Sequence, residues 1–220
     1  MKEMTTGSWA DKEKDQSMNE VNILASCNHV NIVRYHGIHV HSYKSLLRYA
    51  GAYIVQRGLA SERILIIMEL ADAGDLSMLI KKQKEKKQFL PENDVLSYFV
   101  QIAFGLQYIH KKNILHRDLK TQNIFLTSQK LIKIGDFGIS KSLSHTLDLA
   151  TTAIGTPHYL SPEICRRQPY NHKSDMWSLG GGRRCSLFLT SPGCVLYELC
   201  ALQLAFPADN FLALVQSIVR

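Results

Sequence analysis

The sequence predicts an α+β fold, with strands gathered in roughly its first seventy residues and helices after them. Three observations carry this. Asn28 to Gly37 reads as a turn into a strand, and Arg63 to Leu70 as a buried strand. Val95, Phe99, Ile102, Leu106 and Ile109 recur at helical spacing and mark a core-facing stripe. With 220 residues and 45% hydrophobic content, the chain can build one large domain or two small lobes around a sizeable core.

Charge and cysteine usage exclude several classes. The formal net charge is +7, but much of the excess lies in Lys81-Lys-Gln-Lys-Glu-Lys-Lys87, which reads as the solvated end of a helix. No aromatic residues interleave with that run, so neither a nucleic acid nor a membrane is an expected partner. Five cysteines (27, 165, 185, 194 and 200) without a Cys-x-x-Cys pair point to reduced thiols rather than a zinc site or disulfide framework. No secretory leader and no apolar run of spanning length are evident, so the expected setting is the cytoplasm.

Taken in order, Asp15 to Cys27 has Val21, Leu24 and Ala25 on one helical face, with Glu20 on the same helix. The stretch from His41 to Ala60 separates the two strands as a loop longer than compact domains usually hold. His39 and His41 flank Val40; with no third ligand in view they read as solvent-facing strand residues. Ala73-Gly-Asp-Leu76 turns the chain into a helix with Asp75 at its N-terminal end. Pro91, Glu92 and Asp94 start the next helix, proline in the first turn and acids at the positive end of the dipole.

Directly after that helix come Ile114-Leu-His-Arg-Asp-Leu-Lys-Thr-Gln-Asn-Ile-Phe-Leu126 and Lys133-Ile-Gly-Asp-Phe-Gly138, joined by the strand-like Leu131 to Ile134. A carboxylate that can orient a hydroxyl, and an amide and a second carboxylate that can hold Mg²⁺, are what phosphoryl transfer requires. These motifs resemble the catalytic and Mg-binding loops of protein kinases. With Gly135-Asp-Phe-Gly-Ile-Ser-Lys141, Gly155-Thr-Pro-His-Tyr-Leu-Ser-Pro-Glu-Ile-Cys165 and Pro169-Tyr-Asn-His-Lys-Ser-Asp-Met-Trp-Ser-Leu-Gly180, the chain resembles the NIMA-related (Nek) serine/threonine kinases.

That resemblance implies a two-lobed kinase-like fold, with a small β-rich lobe over residues 1–70 and a larger, mainly helical lobe over 71–220. It also implies ATP and Mg²⁺ as cofactors and protein Ser/Thr hydroxyls as substrates. Asp118 would orient the hydroxyl and accept its proton, and Lys120 would stabilise the γ-phosphate. Asn123 and Asp136 would coordinate Mg²⁺, while His116 and Phe137 would act as packing pieces. Lys2 would touch the nucleotide phosphates and pair with Glu20. Met68 would back the adenine pocket, with Glu69 and Leu70 offering backbone hydrogen bonds to the base. Arg117 would receive a phosphorylated loop residue. Thr152 is the candidate phosphosite, served by an activating kinase or by autophosphorylation, and Thr156 would pack near Asp118. Centrosome, cilium and nucleus are settings the family leaves open.

The chain also departs from the family pattern. It has no Gly-x-Gly-x-x-Gly and no strands ahead of Lys2 to carry one, so the small lobe is expected to be weakly stable. Set against that pattern, the stretch from His41 to Ala60 counts as an insertion, and residues 181–193 interrupt what should be one central helix. The expectation is a break near Gly180 to Gly182 and resumption near Cys194, because the glycines and Pro192 disfavour helix. The alternative is a displaced second half. Asp175, ahead of the break, would tie the helix start to the catalytic loop. Asn210 to Val219 is amphipathic. Glu163 should lack the arginine that pairs with it in the family. Two other readings of the whole stay open: a catalytically impaired binding or decoy module, and a product of mis-splicing or gene misprediction.

Overall fold

A computed structural model describes residues 2–5, 22–41, 63–136, 158–179 and 193–220. Three strands, β1 (Lys2–Thr5), β2 (Tyr35–His41) and β3 (Arg63–Met68), form an antiparallel sheet in the order β1-β3-β2. Lys2 sits opposite Ile66, and Ile38 opposite the same residue from the other side. β2 and β3 pair directly, so residues 42–62 connect two neighbouring strands. Residues 22–26 form a short helix, α1, the C-terminal end of the helix expected over 15–27; its expected beginning lies outside the described residues.

The helical part starts at α2 (Leu76–Glu85). Gly74 takes a positive φ of 79°, which glycine adopts without steric cost, and Asp75 then caps the helix by accepting from the Met78 N–H at 3.0 Å. The lysines at its end are mostly solvent-facing. The long α3 (Glu92–Lys111) has Pro91 as its N-cap, one residue earlier than the first-turn position expected for it. Val95, Ile102, Leu106 and Ile109 are buried, but Tyr98 is buried more deeply than its neighbour Phe99. Adjacent positions at the edge of a helical stripe differ by only about 100° of arc, so the rest of the core decides which one turns inward.

A 3₁₀ turn (Thr121–Asn123) leads into the hairpin β4 (Ile124–Leu126) and β5 (Ile132–Ile134), paired Ile124 to Ile134. α3 packs close on β5. A Cβ added at Gly105 would meet Ile134 Cδ1 at 2.7 Å and the Asn31 carbonyl at 3.2 Å. Buried Asn31 joins the two parts of the chain: its side chain donates to Gln101 and to the Ile132 carbonyl, and its own carbonyl accepts from the Ile134 N–H at 2.8 Å.

Among the described residues four further helices follow, α4 (Pro162–Cys165), α5 (His172–Leu179), α6 (Cys194–Ala201) and α7 (Phe211–Val219). Among the described residues α5 runs to Leu179 and α6 starts at Cys194, with Leu179, Val195 and Leu199 in the same core as α3; the expected break near Gly180 to Gly182 lies outside the described residues. Both ends meet one short piece of backbone: Ser178 Oγ lies 3.3 Å from the Tyr159 carbonyl, and Cys194 Sγ 3.7 Å from the His158 carbonyl. Glu163 does not go without a partner, as its carboxylate accepts from Ser174 Oγ at 2.5 Å. α7 is capped by Asn210 and buries Leu214 and Ile218 against Leu160 and Ile164.

Candidate active site

The site is assembled where α3 ends and the β4–β5 hairpin begins. Asp118 and Lys120 lie in the loop between them, and Lys120 Nζ is 2.9 Å from Asp118 Oδ2. Asn123 Nδ2 donates both to the Asp118 carbonyl at 2.7 Å and to Oδ2 at 3.1 Å. Three of the expected residues therefore share one carboxylate. The amide of Asn123 is used through its nitrogen, which leaves its oxygen as an acceptor.

Asp136 is brought to the same place by the backbone. Ile124 pairs with Ile134, and the Gly135 N–H donates to the Asn123 carbonyl at 3.1 Å, so the residue after Gly135 emerges beside the catalytic turn. His116 holds the other side: its Nδ1 is 3.3 Å from the Asp118 N–H and its Nε2 3.1 Å from the Gly135 carbonyl. A backbone N–H can only donate and a carbonyl can only accept, so the proton sits on Nε2 and the ring is neutral. Two members of this turn, Arg117 (φ 67°) and Asp136 (φ 54°), adopt a left-handed backbone that costs a non-glycine residue energy and that the surrounding bonds hold in place.

Burial pushes the His116 pKa below its ordinary value, outweighing the opposing pull of Asp175, the Gly135 carbonyl, Asp118 and Asp136. A depressed pKa means that the unfolded chain takes up a proton that the folded one refuses, so this contribution to stability is complete above about pH 6.5 and declines below it. The urea midpoint should fall as the pH drops from 7.5 toward 5.5, with this one group contributing up to about 1.4 kcal/mol per pH unit. His116→Gln should flatten the curve relative to wild type; parallel curves would show that the imidazole does not titrate this way.

The whole loop stands on Asp175, near the start of α5. Its carboxylate accepts from the His116 N–H at 3.0 Å, the Arg117 N–H at 3.0 Å and Tyr170 Oη at 2.5 Å, and lies 2.7 Å from His110 Nε2. From α6, Glu198 accepts a short hydrogen bond from Tyr159 Oη and lies 3.4 Å from Thr121 Oγ1. α6 thus contacts the 3₁₀ turn through Thr121. Burial raises the Glu198 pKa, overcoming the hydrogen bonds from Tyr159 and Thr121 that lower it.

The residues expected to meet a nucleotide are spread over β1, β3 and the segment after β3. Met68 ends β3, half-buried against the main core. The Glu69 N–H is already taken by the Arg34 carbonyl at 2.8 Å, so only the Glu69 carbonyl can face a base. Leu70 is exposed. The backbone of Lys2 lies in β1; its side chain, Glu20, Thr152 and Thr156 lie outside the described residues, as does Phe137. Sequence reasoning did not anticipate Thr121, Tyr159, Glu198, Tyr170, His110 or the Glu69–Lys133 ion pair. Lys133 gave no signal either, since a polar residue between two isoleucines is the ordinary alternation of a half-buried strand.

A family described as protein kinase domain matches residues 1–220. The chain is 41% identical over 219 residues to serine/threonine-protein kinase Nek1 of Mus musculus, covering 100% of this chain and 15% of that protein. It is 43% identical over 224 residues to a probable serine/threonine-protein kinase, nek3, of Dictyostelium discoideum, covering 100% and 17%. With nekl-2 of Caenorhabditis elegans it shares 39% over 226 residues, covering 100% and 54%. The chain therefore spans about half or less of the length of these relatives. No helix among the described residues is long and apolar enough to cross a membrane.

Proposed function

The chain belongs to the protein kinase domain family, in its NIMA-related branch, and on that premise we propose that it transfers the γ-phosphate of ATP to serine and threonine hydroxyls of proteins. One observation carries the proposal: the ring of hydrogen bonds through His116, Asp118, Asn123 and Gly135 that brings the catalytic turn and the Asp136 turn to one place. Asp118 accepts the proton of the attacking hydroxyl as its oxygen bonds to the γ-phosphorus and the bond to the β–γ bridging oxygen breaks. Lys120, held on Asp118 Oδ2, meets the charge on the transferred group.

Asn123 and Asp136 offer an amide oxygen and a carboxylate, hard donors that suit Mg²⁺, which favours one or two protein ligands together with phosphate oxygens. Bound Mg²⁺ supplies charge neutralisation on the phosphates. In this reading the Glu69 carbonyl and the Leu70 backbone face the base, Met68 closes its rear, and Lys2 with Glu20 holds the phosphates. Phosphorylation of Thr152, by another kinase or by the chain itself, would dock on Arg117, with Thr156 beside Asp118. A cytoplasmic setting and a division into lobes at residue 70 belong to the same proposal.

Titration with MgATP tests it. Wild-type protein should bind, and Asp136→Ala should raise the dissociation constant by about tenfold or more, the effect expected for losing a charged ligand group. Equal binding by the two proteins would remove Asp136 from the site and the reading with it.

A further inference from the structure

Lys133 has no part in the chemistry described so far, yet it is placed with care. It occupies the centre of β5, between Ile132 and Ile134, and is only 7% exposed. Its ammonium lies 2.6 Å from Glu69 Oε1. The other carboxylate oxygen of Glu69 accepts from the Arg34 N–H at 3.1 Å, while the Glu69 N–H donates to the Arg34 carbonyl at 2.8 Å. Glu69 is therefore gripped by two separate segments, the backbone leading into β2 and the strand leading to Asp136. Burial alone would raise its carboxyl pKa, but the Lys133 ammonium and the Arg34 N–H outweigh it and keep the group ionised.

The two ends of this contact belong to segments with different parts in the nucleotide-binding reading. Glu69 follows Met68 in the segment whose backbone is assigned to the base. Lys133 precedes Asp136 by three residues, and Gly135 between them is fixed to His116 and Asn123. One ion pair thus ties the base-side backbone to the metal-side turn. We propose that Lys133 is a positioning residue for the nucleotide: by pinning Glu69 it sets the spacing between the backbone that meets the base and the carboxylate that meets the metal. The inference rests on the nucleotide-binding reading above and adds a residue to it.

Lys133→Met keeps the apolar stem and removes the ammonium. MgATP should bind about tenfold more weakly, and Glu69→Gln should lose about as much. The double variant should lose no more than either single one, because both remove the same contact. Lys133→Arg should stay within about threefold of wild type, since it retains the cation. In nucleotide-free protein, amide exchange at Glu69 should quicken in Lys133→Met and in Glu69→Gln; the latter, at a more exposed group, serves should the lysine variant fail to fold. Single losses that multiply in the double variant, or nucleotide affinity within twofold of wild type in Lys133→Met, would overturn the inference while leaving kinase function standing. Wild-type protein that binds no nucleotide would overturn both.

Discussion

Asp118→Asn should lower phosphoryl transfer to a protein substrate by about 10²–10⁴-fold while leaving MgATP binding within about threefold of wild type. The substitution preserves shape and one acceptor oxygen, so the bonds that organise the turn are least disturbed. What it removes is the capacity to take a proton. Lys120 and Asn123 both converge on Oδ2, and only 20% of the Asp118 side chain is exposed, so little bulk water can substitute for the lost base. Steady-state rates with a Ser/Thr-containing protein, alongside a binding titration, separate the two effects. A variant retaining more than a tenth of wild-type turnover would show that Asp118 is not the proton acceptor.

Asp175→Ala should destabilise the fold by about 3–5 kcal/mol, the range for removing one partner from a buried charged cluster. The side chain is fully buried and serves four groups at once, two of them backbone N–H groups of the catalytic loop. After truncation those N–H groups have neither the carboxylate nor water, and an unmet buried donor is costly. Tyr170→Phe removes one contact of the four and should cost about 1 kcal/mol. Urea denaturation measures both; a loss below about 1 kcal/mol in Asp175→Ala would mean that the loop finds other acceptors. Acid should act in the same direction. Burial raises the Asp175 pKa, but His110, His116 and Tyr170 together hold it below its ordinary value near 3.8. A depressed carboxylate pKa contributes stability that is complete above that value and is lost as the pH falls through the folded-state pKa.

What could be read from the sequence was whatever is local. Asp118, Lys120 and Asn123 lie within one short motif, and Asp136 within one hairpin of it, so chain connectivity alone nearly enforces their meeting. Asp75 as a helix cap and the α3 stripe were legible for the same reason, since both follow from spacing within a few turns. The rest depends on partners far apart in the chain. Thr121, Tyr159 and Glu198 come from three elements, and nothing in the neighbourhood of any one of them names the other two. Lys133 lies in β5 of the small hairpin and Glu69 just past the end of β3, far apart in the chain. The preference for Tyr98 over Phe99 was settled by packing, which periodicity does not encode. Glu163 shows a different limit: no arginine was expected to pair with it, but a hydroxyl eleven residues away donates to it in the cation's place.

Ser178 and Cys194 meet adjacent carbonyls, and this holds α5 and α6 in register. α6 is located by its packing, by Glu198 and by the backbone at His158 and Tyr159, rather than by direct continuation of α5. Opening the chain within residues 180–192 should therefore leave α6 seated where it is. This stretch is a natural place to open the polypeptide and rejoin it elsewhere, as in a circular permutant.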